Sequence, residues 1–211
     1  MAQDTKNKIL DAAETLFSQQ GFMQTSMREI TTLAGVNLAS VNYHFGSKKN
    51  LIQSVLKRYL DVLMPQFDTI LNHSDSNLEC NDLEGFLASL VPPMMTLQDV
   101  SPNGTEKFVQ LLGKGYNETQ GHLRRFIMND YGVTISRLIE HIKLSLPSVS
   151  EEVLFWRLHF AMGSFVFSMA SSQALKEIAQ SDFNSSVDVS DVILQMVPFV
   201  AHGLASGSYA N

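Results

Sequence analysis

Apolar side chains recur along this chain at helical spacing almost from its first residues. Ile9, Ala12, Ala13, Leu16 and Phe17 fall at i, i+3, i+4, i+7 and i+8, which predicts a helix from about Thr5 to Gln20. Gly21 ends it and Phe22 packs back on its apolar face. Two shorter patterns follow: Ile30, Leu33 and Ala34, then Leu38 and Val41 as the packing side of a helix reaching His44. Leu51, Ile52, Val55, Leu56, Tyr59, Val62 and Leu63 predict a fourth helix over about 47–64, stopped by Pro65. Polar Asn72–Asn77 reads as a loop. Beyond it the pattern predicts a helix from Leu78 to Pro92-Pro93, a turn at Ser101–Gly104, and helices over Thr105–Tyr116 and Thr119–Leu144. A densely apolar helix from Ser150 to about Gln180, a polar loop over Asp182–Ser190 and a last helix over Val192–Leu204 complete the chain. No period-2 alternation, repeat or low-complexity tail interrupts this. The expectation is an all-α protein of about nine helices: a three-helix head over 1–48, a linking fourth helix, and a larger helical body over 49–211.

The head carries the most specific signal. Ser26-Met27-Arg28-Glu29 fits a capping box, in which Ser26 and Glu29 satisfy each other's backbone donors. Gly35 can turn the chain with a positive φ, Val36 is the buried turn residue, and Asn37 caps the next helix. Two short helices joined this way form a helix-turn-helix, whose second helix lies in the DNA major groove. Asn37, Ala39, Ser40, Asn42 and His44 are then the candidates for base edges. Asparagine pairs bidentately with adenine and an alanine methyl meets thymine, so Asn42 is the strongest candidate. A purely local cap is the alternative for Asn42, as a cap on the aromatic cluster is for His44. Thr25, Ser26, Arg28, Tyr43 and Lys48 are candidates for phosphate, which fixes position without reading sequence. Lys48 also stands where a helix N-terminus favours an anion. Phe45 reads as core.

Net charge is −6, which suits a DNA-binding protein only once it is divided. Residues 1–60 carry seven bases and four acids, against eight bases and seventeen acids in the remainder. A basic head on an acidic body is compatible with nucleic acid, although +3 over sixty residues is also ordinary scatter. Cys80 is the only cysteine, so neither a disulfide framework nor a cysteine zinc site is expected, and a reducing cytoplasm fits. The opening residues have no apolar core and do not read as a signal peptide. The uncharged run Leu158–Leu175 contains His159, Gln173 and four serines, and reads as a buried or interface helix, not a membrane span. The chain lacks a phosphate-cradling glycine loop, H-E-x-x-H and G-x-S-x-G, and Glu151-Glu152 point apart on a helix. No enzyme, cofactor or metal site is expected. A ligand-free architectural DNA-binding protein stays open as an alternative.

Thr25-Ser26-Met27-Arg28-Glu29-Ile30, Ala34-Gly35-Val36 and Tyr43-His44-Phe45, followed by Lys48 and Leu51, resemble the DNA-binding domain of the TetR family of bacterial repressors. The resemblance implies a dimer formed largely by the last two helices, a palindromic operator and a ligand-binding body. Asn37 through Lys49, Gln120 through Arg125, Leu154-Phe155-Trp156-Arg157, Phe167-Ser168-Met169 and Met196-Val197-Pro198-Phe199 further resemble PsrA-type regulators. Those TetR relatives control fatty-acid degradation genes and leave DNA on binding long-chain fatty acids. For this chain the resemblance implies a hydrophobic effector, a fatty acid or acyl-CoA.

Within the body, Phe108, Leu111, Leu112, Tyr116 and Phe126 offer apolar walls for such a ligand, as do Phe155, Trp156, Met162 and Phe165. Ordinary core packing explains any one of them. His122, Arg124, Arg157 and His159 are candidates for a carboxylate, with Arg125 beside them, although Arg157 can equally pair with Glu151 or Glu152. The small residues Gly163, Ser164, Ser168 and Ser171 allow close approach of another helix. With Val192, Met196, Val197 and Phe199 they predict a four-helix homodimer interface, intrachain packing being the alternative.

Overall fold

The computed structural model describes residues 2–76, 82–117 and 121–207. Among these the chain is all-α, with eleven α-helices and one 3-10 turn. They are α1 (Ala2–Gln20), α2 (Met27–Ala34), α3 (Leu38–Phe45), α4 (Lys48–Ser76), α5 (Leu83–Ser89), α6 (Val91–Met95), α7 (Gly104–Asn117), α8 (Gly121–Leu144), α9 (Glu151–Ala170), α10 (Ser172–Phe183) and α11 (Val189–Ala205). They form two compact units: Met1–Val62 with Leu97–Asp130, and Leu63–Thr96 with Tyr131–Asn211.

In the first unit, α1 packs against α2, α3 and α7. Ile9, Ala13, Phe17, Phe22, Ile30, Val41, Leu51, Val55 and Tyr59 are fully buried there. Phe17 and Phe22 meet edge-on with centroids 5.3 Å apart. Glu14, only 1% exposed, anchors a polar network within this unit. Its carboxylate accepts from Arg58 Nη1 at 3.3 Å and from Lys107 Nζ at 3.0 Å. Arg58 also reaches Asp11 at 2.8 Å, and the Ser101 hydroxyl lies 3.0 Å from that of Tyr59. A carboxylate so deep is tolerable because two cations meet it.

The second unit packs α11 against α5, α6 and α9. Its core holds Leu71, Phe86, Ile142, Leu146, Leu154, Ala201 and Leu204. Asp68 accepts from Thr134 at 3.0 Å and Arg137 at 3.3 Å, tying its stretch of α4 to α8.

Several predicted boundaries shift. α4 runs through Pro65 to Ser76, so Asn72–Ser76 is helix and not loop; Asn77 and the predicted start at Leu78 lie outside the described residues. Leu63, Met64, Phe67 and Leu71 keep one buried stripe on either side of the proline. That burial offsets the roughly 3 kcal/mol a proline costs inside a helix. Pro92 and Pro93 open α6 instead of closing the helix before it, a position where a missing N–H costs nothing. Gly104 begins α7 at a close approach, since a Cβ there would lie 1.9 Å from the Leu97 carbonyl oxygen. Thr119, the predicted start of the next helix, is outside the described residues. The long helix expected from Ser150 to Gln180 is two. α9 ends at Ala170, the Ser171 amide bonds to the Phe167 carbonyl at 2.9 Å, and α10 starts at Ser172. The serine pair is a weak helix former, and its small side chains let the chain turn without glycine or proline. α11 starts at Val189, not Val192, because Asp188 and Asp191 form a capping box.

Candidate functional site

The helix-turn-helix geometry follows from its caps. The Ser26 amide donates to Glu29 Oε2 at 2.6 Å and the Glu29 amide to Ser26 Oγ at 3.2 Å, fixing the start of α2. These hydrogen bonds, backbone first, hold the Glu29 carboxyl below its ordinary value of 4.5, with Lys48 adding a smaller pull. Gly35 adopts φ 64 and ψ 36, and the Val36 amide donates to the Thr31 carbonyl at 3.0 Å. This is a left-handed helix end that favours glycine. Asn37 Oδ1 then accepts from the Ser40 amide at 2.8 Å and the Ser40 hydroxyl at 2.9 Å, opening α3.

α3 consequently has two faces. Val41 and Phe45 are buried beneath it, while Leu38, Ala39, Asn42 and Tyr43 point outward, with Tyr43 83% exposed. Asn42 is not a cap: its carbonyl receives the Gly46 amide at 2.9 Å, and its side chain stands on the exposed face. Tyr43 lies edge-on to His44, centroids 5.1 Å apart. Arg28 and Lys49 are exposed nearby in sequence, and Lys48, the first residue of α4, reaches the Met23 carbonyl at 3.5 Å. Lys8, Lys57 and Arg58 are ion-paired within the chain. Arg28 and Lys49 are thus exposed bases beside the helix-turn-helix, with Lys6 half-buried on α1.

Some candidates are placed differently from their prediction. Thr25 is 1% exposed and its hydroxyl donates to the Gly21 carbonyl at 2.8 Å, so it braces the turn and does not face outward. The Ser40 hydroxyl donates to Asn37 Oδ1, so both side chains serve the start of α3. Leu38 is 47% exposed instead of packing under α3. It is the first helical residue, where the side chain leans back over the cap and away from the underside. Leu33 is likewise 55% exposed, and Val36 is half-buried.

The predicted ligand residues separate. Phe108, Leu111, Leu112, Tyr116, His122, Arg124 and Phe126 belong to the first unit; Phe155, Trp156, Arg157, His159, Met162 and Phe165 belong to the second. Phe108 and Leu111 are plain core, Phe108 lying against Tyr59 at 5.4 Å, while Tyr116 and Arg124 are exposed. His122 has an enclosed Nε2 without a partner, and burial, with Lys49 and Arg125, holds its pKa below the ordinary 6.5. On α9, Phe155 and Trp156 are more than half exposed. His159 Nδ1 lies 2.7 Å from the Phe155 carbonyl oxygen. Arg157 pairs with neither Glu151 nor Glu152. It donates to the carbonyls of Leu204 at 2.6 Å and Gly207 at 3.4 Å, capping the end of α11, while Glu151 takes Lys143.

The predicted dimer residues largely converge. Ser164, Ser168, Val192, Met196 and Phe199 line one groove of about 660 Å³ with Phe167 of α9 and Leu175, Lys176 and Phe183 of α10. Val197, Gly163 and Ser171 are not in it; Val197 faces the core with Ile193, Ala201 and Leu204, at i+4 and i+3 spacing on the opposite side of α11. Gly163 is exposed and Ser171 marks the break after α9. Sequence reasoning missed α10 as a separate helix, and missed the Glu14 network. The signal for the latter is an acid placed directly beside the apolar stripe of α1.

Comparison with known proteins agrees with this geometry. Residues 9–55 match the bacterial regulatory proteins of the tetR family, and residues 88–203 match the tetracyclin repressor-like C-terminal domain. The chain belongs to the TetR family of bacterial transcriptional regulators, which are not enzymes. It is 34% identical over 86 residues to the HTH-type transcriptional repressor KstR2 of Mycolicibacterium smegmatis, covering 37% of this chain and 42% of that protein. The chain thus matches less than half the length of such curated relatives. A TetR-like transcriptional regulator from Rhodococcus shares the fold with a TM-score of 0.59 at 17% identity, over 96% of this chain and 97% of that one. The regulator FadR from Bacillus subtilis, solved with stearoyl-CoA, has a TM-score of 0.58 at 14% identity, over 97% of this chain and all of that one.

Proposed function

We propose that this chain is a dimeric transcriptional repressor of the cytoplasm that sets α3 in the major groove at each half of a palindromic operator. The observation that carries this is the split face of α3, with Ala39, Asn42 and Tyr43 outward over buried Val41 and Phe45. Asn42 reads a base edge, and Tyr43, Lys48, Ser26 and Arg28 hold phosphates. Two copies place two such helices about 34–36 Å apart, one turn of duplex. The dimer forms through α9 and α11, whose exposed apolar side chains a single chain leaves in water. α9 is long and apolar enough by composition to cross a bilayer. We read it instead as the dimer helix, since Arg157 binds the end of α11 and Ser164 and Ser168 line the groove.

A hydrophobic small molecule releases the operator, and a long-chain fatty acid or its CoA thioester is the reading we favour. The support is the likeness to PsrA-type regulators together with the shared fold of a relative solved with stearoyl-CoA. An effector that prefers the DNA-free form draws the population off DNA. A gel-shift on the promoter of its own gene, with oleate and oleoyl-CoA added separately, tests both parts. Retardation lost with one of them is expected. Retardation unchanged by either overturns the effector, and none on any palindrome overturns the repressor. Asn42→Ala should weaken matched DNA more than scrambled DNA, whereas Lys48→Ala should weaken both alike.

A further inference from the structure

We infer that the start of α8 is a second DNA contact, in which Arg124 and Arg125 hold duplex phosphates besides those met by the helix-turn-helix. The inference rests on the DNA-binding reading above and extends its surface outside α1–α4. The compact unit that carries α3 also contains α7 and α8 as far as Asp130. That unit has eleven bases against nine acids, whereas the other has four against twelve. A duplex is repelled by the second and not by the first. Arg124 and Arg125 belong to the first.

Packing brings the start of α8 to the helix-turn-helix. Leu123, buried at 4%, and Phe22 of the turn before α2 both crowd Gly115 of α7. A Cβ on that glycine would lie 3.6 Å from Leu123 Cδ1 and 3.7 Å from Phe22 Cε2. Met23, the next residue of the same turn, accepts from Lys48 Nζ at 3.5 Å. Lys49 is close enough that its charge, with that of Arg125, adds to burial in lowering the pKa of His122. Lys49, Arg124 and Arg125 are exposed, and none is ion-paired among the described residues. Arg125 Nε donates only to the Gly121 carbonyl, at 3.3 Å. Lys8, Lys57, Arg58 and Lys107 of the same unit are instead held by acids. Cations gathered without a counter-charge repel, and phosphate oxygens relieve that repulsion. Duplex backbone is the occupant that fits. Its charges recur about every 1.7 Å along the axis, so one duplex can meet α3, Lys48 and both arginines. Arginine takes phosphate through two parallel hydrogen bonds. The openness of both side chains suits a long strand, where a small anion needs a concave site.

Fluorescence anisotropy of the full chain over a salt series tests the contact, with a palindrome that the wild-type chain selects from random duplexes as probe. Replacing both arginines, Arg124→Gln with Arg125→Gln, should make log Kd against log salt shallower. The change should be about two units per dimer if one arginine of each copy meets phosphate, and about four if both do. The loss should be equal on matched and scrambled duplexes, since phosphate carries no sequence. Arg124→Lys with Arg125→Lys, which keeps both charges, should retain the wild-type slope. A glutamine variant within one unit of the wild-type slope overturns the contact while the helix-turn-helix reading stands. A lysine variant that loses the slope as fully as the glutamine variant overturns it as well. So does a glutamine variant that keeps the slope and loses its thermal shift with oleoyl-CoA, which assigns the arginines to an anionic effector. A wild-type chain that selects no palindrome overturns the repressor and the second contact together.

Discussion

The two compact units of this chain finish their surfaces differently. In the first, Phe17, Phe22, Ile30, Val41, Leu51, Tyr59, Leu97 and Leu111 are wholly buried, and its deep carboxylate is met by two cations. In the second, Met169 is the one apolar side chain at 0% among the described residues, while Phe155, Trp156, Phe160, Phe167, Phe183 and Phe199 are more than half exposed. Self-contained packing suits a part that must present one fixed helix to a duplex. Apolar surface left open suits a part whose folding is completed by association. The second unit buries Phe67 and Phe86 as the first buries Phe17 and Phe22, yet it also leaves a set of aromatic rings in water.

Removing a ring from each unit is the sharpest way to break that contrast. Phe17→Ala should cost about 3–5 kcal/mol of stability at any protein concentration, as buried aromatic deletions do. Phe160→Ala should leave the diluted chain as stable as before and weaken only association. Denaturant melts at two concentrations separate these outcomes, and equal losses for both variants would erase the distinction. A smaller effect is expected from Glu14→Ala, which strands Arg58 and Lys107. Both cations are about a quarter exposed, so the loss should be about 2–3 kcal/mol, below that of a fully buried pair. Glu14→Gln, which keeps one of the two acceptor oxygens, should recover part of it. The least expected change is at the α2 cap, where Ser26→Ala should cost about 1 kcal/mol. Because Glu29 is held below its ordinary 4.5, the box contributes fully above that value and fades as pH falls through the lower folded value. Ser26→Ala should therefore shallow the acid limb of the stability profile of the first unit, measured by chemical denaturation from pH 6 to 3.

The sequence shows what is local. Ser26 and Glu29, Gly35 and Asn37 specify α2, the turn and α3 through bonds spanning five residues or fewer, and all of them are legible without coordinates. Ile9 through Phe17 define a buried stripe by spacing alone. What sequence hides is decided by distant partners. Pro65 reads as a stop, yet burial on both sides carries α4 through it. Arg157 reads as an ion-pair partner, yet it finds carbonyls nearly fifty residues away. Thr25 and Leu38 exchange their expected sides because a cap and a turn, not periodicity, orient the residues at helix ends. The break at Ser171 has no glycine or proline to announce it, so α10 disappears into a longer apolar run.

Pro65 has one more mechanical consequence. It has no amide hydrogen to give, so α4 lacks one rung of its ladder three residues beyond Val62. Sharp bends in long helices occur chiefly at such a proline, so a bend in α4 belongs within a turn of this point and not elsewhere along it.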